Sequence, residues 1–318
     1  QICVKMKARY YLFFVLLFVL SSCDSISGEG ELKKDLYQGT SGVEFEIFDL
    51  PSEVSEDEEI PLIFRVENKG PYVTKGRIVI NTEKDYVNIK GMNNYAAVDF
   101  NLDGKTVLND IDDFEIYNVP LLAGKLDPLS EEHDTYLSTY LCYEYKGLAY
   151  ADVCVDTDPY EVSNADKACK AQSSISLSGG QGGPVIIESV EPKMLINGDT
   201  IRPQFKIYIQ NVGQGTVIQS GSIYQVCSKD SLNLNTYNTV SLSEVEISGK
   251  KLSGGQIQCV PSVLQLRNEK DFVTCTVAPG SAIPRNTLSY KSPLKIEINY
   301  GYMQALSKEI SIRKILTY

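Results

Sequence analysis

Eight cysteines, a single histidine and two clusters of carboxylates are the residues of this chain with chemistry to offer. His133 lies among Glu131, Glu132 and Asp134 and reads as a loop residue; without a second histidine, no two-histidine metal site can be built. Asp152, Asp156, Asp158 and Glu161 form a weak calcium candidate, since clustered carboxylate oxygens suit a hard cation. Asp110, Asp112 and Asp113 form the other cluster. Neither has the spacing of an EF-hand loop, so both read as solvated faces. No nucleophile elbow, phosphate-binding loop or dinucleotide fingerprint occurs, and Gly179 to Gly183 lacks the strand and helix that such a loop needs. The expectation is a protein with no catalytic residues and no cofactor.

Cys3 precedes Met6, the expected start, and carries no information; the other seven cysteines divide into two groups. Cys23 ends the run Leu20-Ser21-Ser22-Cys23, behind an apolar stretch from Tyr10 to Leu20 and the basic residues Lys5, Lys7 and Arg9. An eleven-residue helix rises about 16 Å, roughly half a bilayer core, so this is a signal segment and not a span. Met6 is the expected start. The run resembles the lipobox of bacterial-type lipoproteins, which implies lipidation of Cys23 and a membrane partner through that lipid. Cys142, Cys154, Cys169, Cys227, Cys259 and Cys275 are even in number, belong to an exported chain and show no C-x-x-C spacing, so they read as disulfides. Six cysteines allow fifteen pairings. Proximity in sequence suggests Cys259 with Cys275, Cys142 with Cys154, and Cys169 with Cys227.

The elements that must carry these residues are strands. Leu62, Phe64 and Val66 alternate with polar neighbours and end in Asn68-Lys69-Gly70; Phe205, Ile207 and Ile209 do the same before Asn211-Val212-Gly213. Each Asn-x-Gly is a turn, and the chain reads as two copies of one β unit. Twenty tyrosines, no tryptophan and abundant short alternating runs predict an all-β fold of two tandem immunoglobulin-like antiparallel β-sandwiches. The expected divisions are a signal peptide with lipobox (1–23), a flexible tether (24–42), a first sandwich (43–160), a short helix or linker (161–183) and a second sandwich (184–318). A coil-like tether of that length spans about 24 Å. Each sandwich is expected to close with a hairpin, one turning at Lys146-Gly147 and the other at Tyr300-Gly301-Tyr302.

Pro184 to Val190 followed by Phe205 to Gly215 resembles the CARDB type of immunoglobulin-like module, named for cell-adhesion-related proteins, and Val43 to Gly70 is a weaker copy. With the anchor, the layout is similar to lipoproteins of small-genome archaea. The resemblance implies a fold and brings no catalytic residue with it. A net charge of −11 disfavours nucleic acid as a partner. The expected function is non-enzymatic binding or adhesion to a protein or glycan, on the outer face of the cytoplasmic membrane or cell envelope. The alternatives are a structural subunit of an envelope assembly or filament and, less favoured, a hydrolase.

Overall fold

Alternation builds the layers. In the computed structural model, which describes residues 36–162, 166–177, 179–228 and 234–315, Ile60, Leu62, Phe64 and Val66 are all buried, as are Ile201, Phe205, Ile207 and Ile209. Their polar neighbours face outward, so each strand has one core face and one wet face.

The first half contributes β1 (Val43–Asp49), β2 (Glu53–Ser55), β3 (Glu59–Asn68), β4 (Thr74–Asn81), β5 (Val87–Ile89), β6 (Tyr95–Leu102), β7 (Asp113–Ala123) and β8 (Glu132–Val155). After β9 (Ile175–Ser176), the second half contributes β10 (Val185–Asn197), β11 (Thr200–Asn211), β12 (Thr216–Ile218), β13 (Thr239–Ile247), β14 (Lys250–Lys251), β15 (Ile257–Val260), β16 (Val263–Gln265), β17 (Lys270–Val277), β18 (Ile283–Pro284) and β19 (Tyr290–Arg313). A helical turn, α1 (Ile223–Val226), lies between β12 and β13. No helix among the described residues is long and apolar enough to cross a membrane.

These strands make three sheets, antiparallel except where the short β2 pairs parallel with the end of β19. One small sheet runs β1-β3-β7-β5 and another runs β15-β17-β11-β10-β9, while a nine-stranded sheet with the path β14-β13-β19-β8-β4-β6 holds strands of both halves. The main strands follow immunoglobulin order, A-B-E facing C-F, with β1, β3, β7, β4 and β8 in one half and β10, β11, β17, β13 and β19 in the other. In an immunoglobulin domain, strand G flanks F. Here each F strand flanks the other, because β8 and β19 pair antiparallel along their whole lengths, from Val155↔Tyr290 to Glu132↔Arg313. The all-β sandwich class holds, and the two sandwiches share one sheet. From Leu36 onward the chain packs as a single compact unit with one main core.

Several expectations are corrected. The two closing hairpins are each one unbroken strand: Lys146, Gly147 and Gly301 stand inside β8 and β19, and every residue there finds its partner on the other half. A Cβ on Gly147 would lie 3.0 Å from Cγ1 of its cross-strand partner Ile298, so this glycine makes room for the paired strand and is not a turn. His133 belongs to β8 and not to a loop; its ring stacks on Tyr86, with centroids 3.4 Å apart. The described residues of 161–183 contain no helix. Within that stretch Gln181 is only 4% exposed, and Gly39, from the end of the expected tether, pairs with Gly180. The Gly39 amide donates to the Gly179 carbonyl (3.0 Å), and the Gly182 amide donates to that of Gly39 (2.9 Å).

Candidate functional site

The six cysteines form three disulfides. Cys259–Cys275 joins neighbouring strands β15 and β17 with Cα atoms 4.0 Å apart, as proximity suggested. The other two pairings are corrected to Cys154–Cys169 and Cys142–Cys227, with Cα separations of 5.7 and 6.4 Å. Cys142 and Cys154 lie on one extended strand and cannot meet once the hairpin is absent. Cys23 lies outside the described residues.

The carboxylates of the calcium candidate meet cations from the chain itself. Asp156, 3% exposed, accepts from Lys167 Nζ (2.8 Å), Ser289 Oγ (3.0 Å) and the Asp158 amide. Burial pushes its pKa up, but these donors outweigh burial and hold the carboxyl below the usual carboxylate range. Asp158 accepts from the Val162 amide and faces Arg285 at 3.5 Å. Glu161 is exposed and 4.0 Å from Lys167, and Asp152 is exposed on β8. Asp112 is held by Lys69 (2.9 Å) and Lys105 (2.5 Å), and Asp113 accepts from the Asp103 amide. Among the described residues no group of three or more His, Cys, Asp or Glu is placed to hold a metal ion.

Where the halves meet, the Asn-x-Gly turns are wired alike. Asn68 Oδ1 accepts from the Gly70 amide (3.1 Å) and its Nδ2 donates to the Tyr72 carbonyl (2.7 Å); Asn211 Oδ1 accepts from the Gly213 amide (3.2 Å) and its Nδ2 donates to the Gly215 carbonyl (2.9 Å). A tyrosine caps each turn. The Tyr302 hydroxyl donates to Asn211 Oδ1 at 3.1 Å, and the Tyr145 hydroxyl lies 3.5 Å from Asn68 Oδ1 while donating to the Gly182 carbonyl at 2.9 Å. Tyr143 and Tyr300 take the matching places beside Val43 and Val185. Burial drives both phenols well above the usual tyrosine pKa, so the centre of the shared sheet is a neutral aromatic cluster.

Beside this cluster lies a groove of about 540 Å³ between β1 and the second part of β19. Its walls include Val43, Glu44 and Phe45 on one side and Gln304 and Leu306 on the other, with Gly213 to Gly215 at one end. A hollow of about 360 Å³ shares Glu44, Phe45 and Gln304 and adds Glu46, Arg65 and Glu67. A third, of about 410 Å³, is lined by Tyr95, Tyr140, Tyr237 and Met303 beside Cys227. The groove is lined by strand-edge peptide groups and by the Glu44 carboxylate. Reasoning from the sequence missed Gln304. Its signal was the repeat itself: Tyr143, Tyr145 and Gly147 in one half align with Tyr300, Tyr302 and Gln304 in the other.

No family model matches the chain, and no curated protein matches it. Among solved structures it is similar to Escherichia coli alpha-2-macroglobulin activated by porcine elastase, at 11% identity over 86% of this chain and 22% of that one, with a TM-score of 0.17. It is similar also to a point mutant of Salmonella alpha-2-macroglobulin (12% identity, 86% of this chain and 16% of that one, TM-score 0.14). A third likeness is to Spo0M, a sporulation control protein from Bacillus subtilis (10% identity, 53% of this chain and 80% of that one, TM-score 0.11). The chain spans less than a quarter of either macroglobulin. Likenesses this slight assign no family.

Proposed function

We propose that this chain is an exported protein, anchored at the cell surface by lipid on Cys23, that binds a protein or glycan partner without catalysing a reaction. The observation that carries the reading is the groove along β1, whose wall begins at Thr40, within the last residues of the expected tether. A chain tethered there presents the groove close to its attachment. Three disulfides support export to an oxidising compartment. The likeness of Phe205 to Gly215 to CARDB-type modules, and of the layout to archaeal lipoproteins, supports adhesion-like binding.

A filament built by pairing β1 with β1 of another copy is disfavoured by charge. Antiparallel pairing centred on Phe45 would set Glu44 of each copy against Glu46 of the other, and like charges directly opposite destabilise a sheet. The anchor has a direct test. Cys23→Ser should shift the protein from the membrane fraction to the soluble one and abolish its labelling by a fatty-acid probe; unchanged fractionation and labelling would remove the anchor from the reading.

A further inference from the structure

The two halves repeat each other closely enough that one difference between them stands out. In the second half the outer edge of β10 is closed. Strand β9 pairs with it at Ser189 and Val190, and the Leu177 amide donates to the Glu188 carbonyl at 2.8 Å. Gln181 accepts from the Ile187 amide (2.7 Å) and donates to the Ile187 carbonyl (3.2 Å). The corresponding strand of the first half, β1, pairs with β3 on one side and with no described strand on the other.

One aligned position differs beside these two edges. A Cβ on Gly147 of β8 would meet the Ile298 side chain at 3.0 Å and the Val185 carbonyl oxygen at an ordinary contact distance of 3.4 Å. At the aligned position of β19 stands Gln304, whose side chain lines both hollows beside β1. The wet face of β1 carries Glu44 and Glu46, both exposed; on β3, Glu67 stands opposite Glu44 and is already paired with Arg65 and Lys69, and Arg65 stands opposite Glu46.

We infer that the free edge of β1 is an acceptor site for one added strand, supplied by an extended peptide of a partner protein that alternates basic and apolar residues. This rests on the reading of the chain as a surface binder and narrows its partner. Main-chain hydrogen bonds to an exposed edge give such a peptide its hold, and alternate side chains give it selectivity. Residues on one face of the added strand lie next to Glu44 and Glu46, where Lys or Arg is matched. Residues on the other face meet the groove lined by Phe45 and Leu306, where apolar side chains fit. Charges on an edge strand also serve to repel unwanted strands. The two roles differ in outcome, since a purely repellent edge accepts no peptide.

The test uses the full chain in detergent, titrated with a labelled short peptide alternating Lys and Val and with its counterpart bearing Glu for Lys. The Lys peptide should bind saturably and the Glu peptide should not. Glu44→Lys with Glu46→Lys should reverse that preference, and Gln304→Gly should weaken binding by about tenfold or more through loss of the side chain that lines the groove. Equal binding of both peptides, no saturable binding of either, or indifference to the charge reversal would overturn the site. Binding that required removal of residues 24–35 would overturn it too, because the chain's own tether would then be the occupant. If the titration fails while crosslinking on intact cells still captures a partner, the edge site falls and the binding function stands.

Discussion

Asn68 and Asn211 each tie a turn to the core through a carboxamide that is 5% exposed or less. Three hydrogen bonds converge on Asn211, from Gly213, from Tyr302 and to Gly215. Asn211→Ala should therefore cost roughly 2–3 kcal/mol, because each lost bond leaves a buried partner unmatched. Asn68→Ala should cost a similar amount, both read from the midpoint of urea unfolding at unchanged slope. A loss at only one of the two sites would show that the halves are not equivalent where they look alike. The Asn-x-Gly pattern was legible in the sequence because it is local. The tyrosines that complete it, 77 and 91 residues away, were not. Cys142 failed for the same reason, since its partner lies 85 residues on, whereas Cys154–Cys169, 15 residues apart, was missed because the expected hairpin joined Cys154 to Cys142.

At the scale of elements, alternation identified most strands, yet the two longest were each split in two. Lys146-Gly147 and Tyr300-Gly301-Tyr302 have the composition of turns, and nothing local reveals that the partner strand lies in the other half. The outcome is an aromatic centre in which Tyr143, Tyr145, Tyr300 and Tyr302 are neutral and buried. Burial raises their phenol pKa values. A raised folded pKa contributes stability that is fully present below the unfolded value of about 10 and is lost as pH rises toward the folded one. Alkaline titration should therefore show one cooperative step above about pH 10, in which tyrosinate absorbance appears together with loss of near-ultraviolet circular dichroism. Early, non-cooperative titration of most tyrosines with the dichroism intact would contradict a closed cluster.

At the scale of the molecule, neither half has a strand of its own in the G position among the described residues. Residues 36–162 expressed alone should aggregate or dimerise through the bare edge of β8, and mixing with residues 166–318 should restore one compact species. Size-exclusion chromatography with circular dichroism decides this. A monomeric, cooperatively folded first half would show that the shared sheet is not required. The sequence pointed to two related β units, and it could not show that they share a layer, because tandem and interlocked repeats have the same local patterns.

The pairing of β8 with β19 also sets an order of events in time. The first half reaches β8 by residue 155, but the strand that flanks it begins at residue 290, so the shared sheet cannot close until β19 has been synthesised, more than a hundred residues later. Contacts this distant in sequence make folding slow and leave edges open meanwhile. On the proposed route of export such a delay would keep the chain threadable until β19 has crossed, and the closing of the sheet would then bring Cys142 within reach of Cys227.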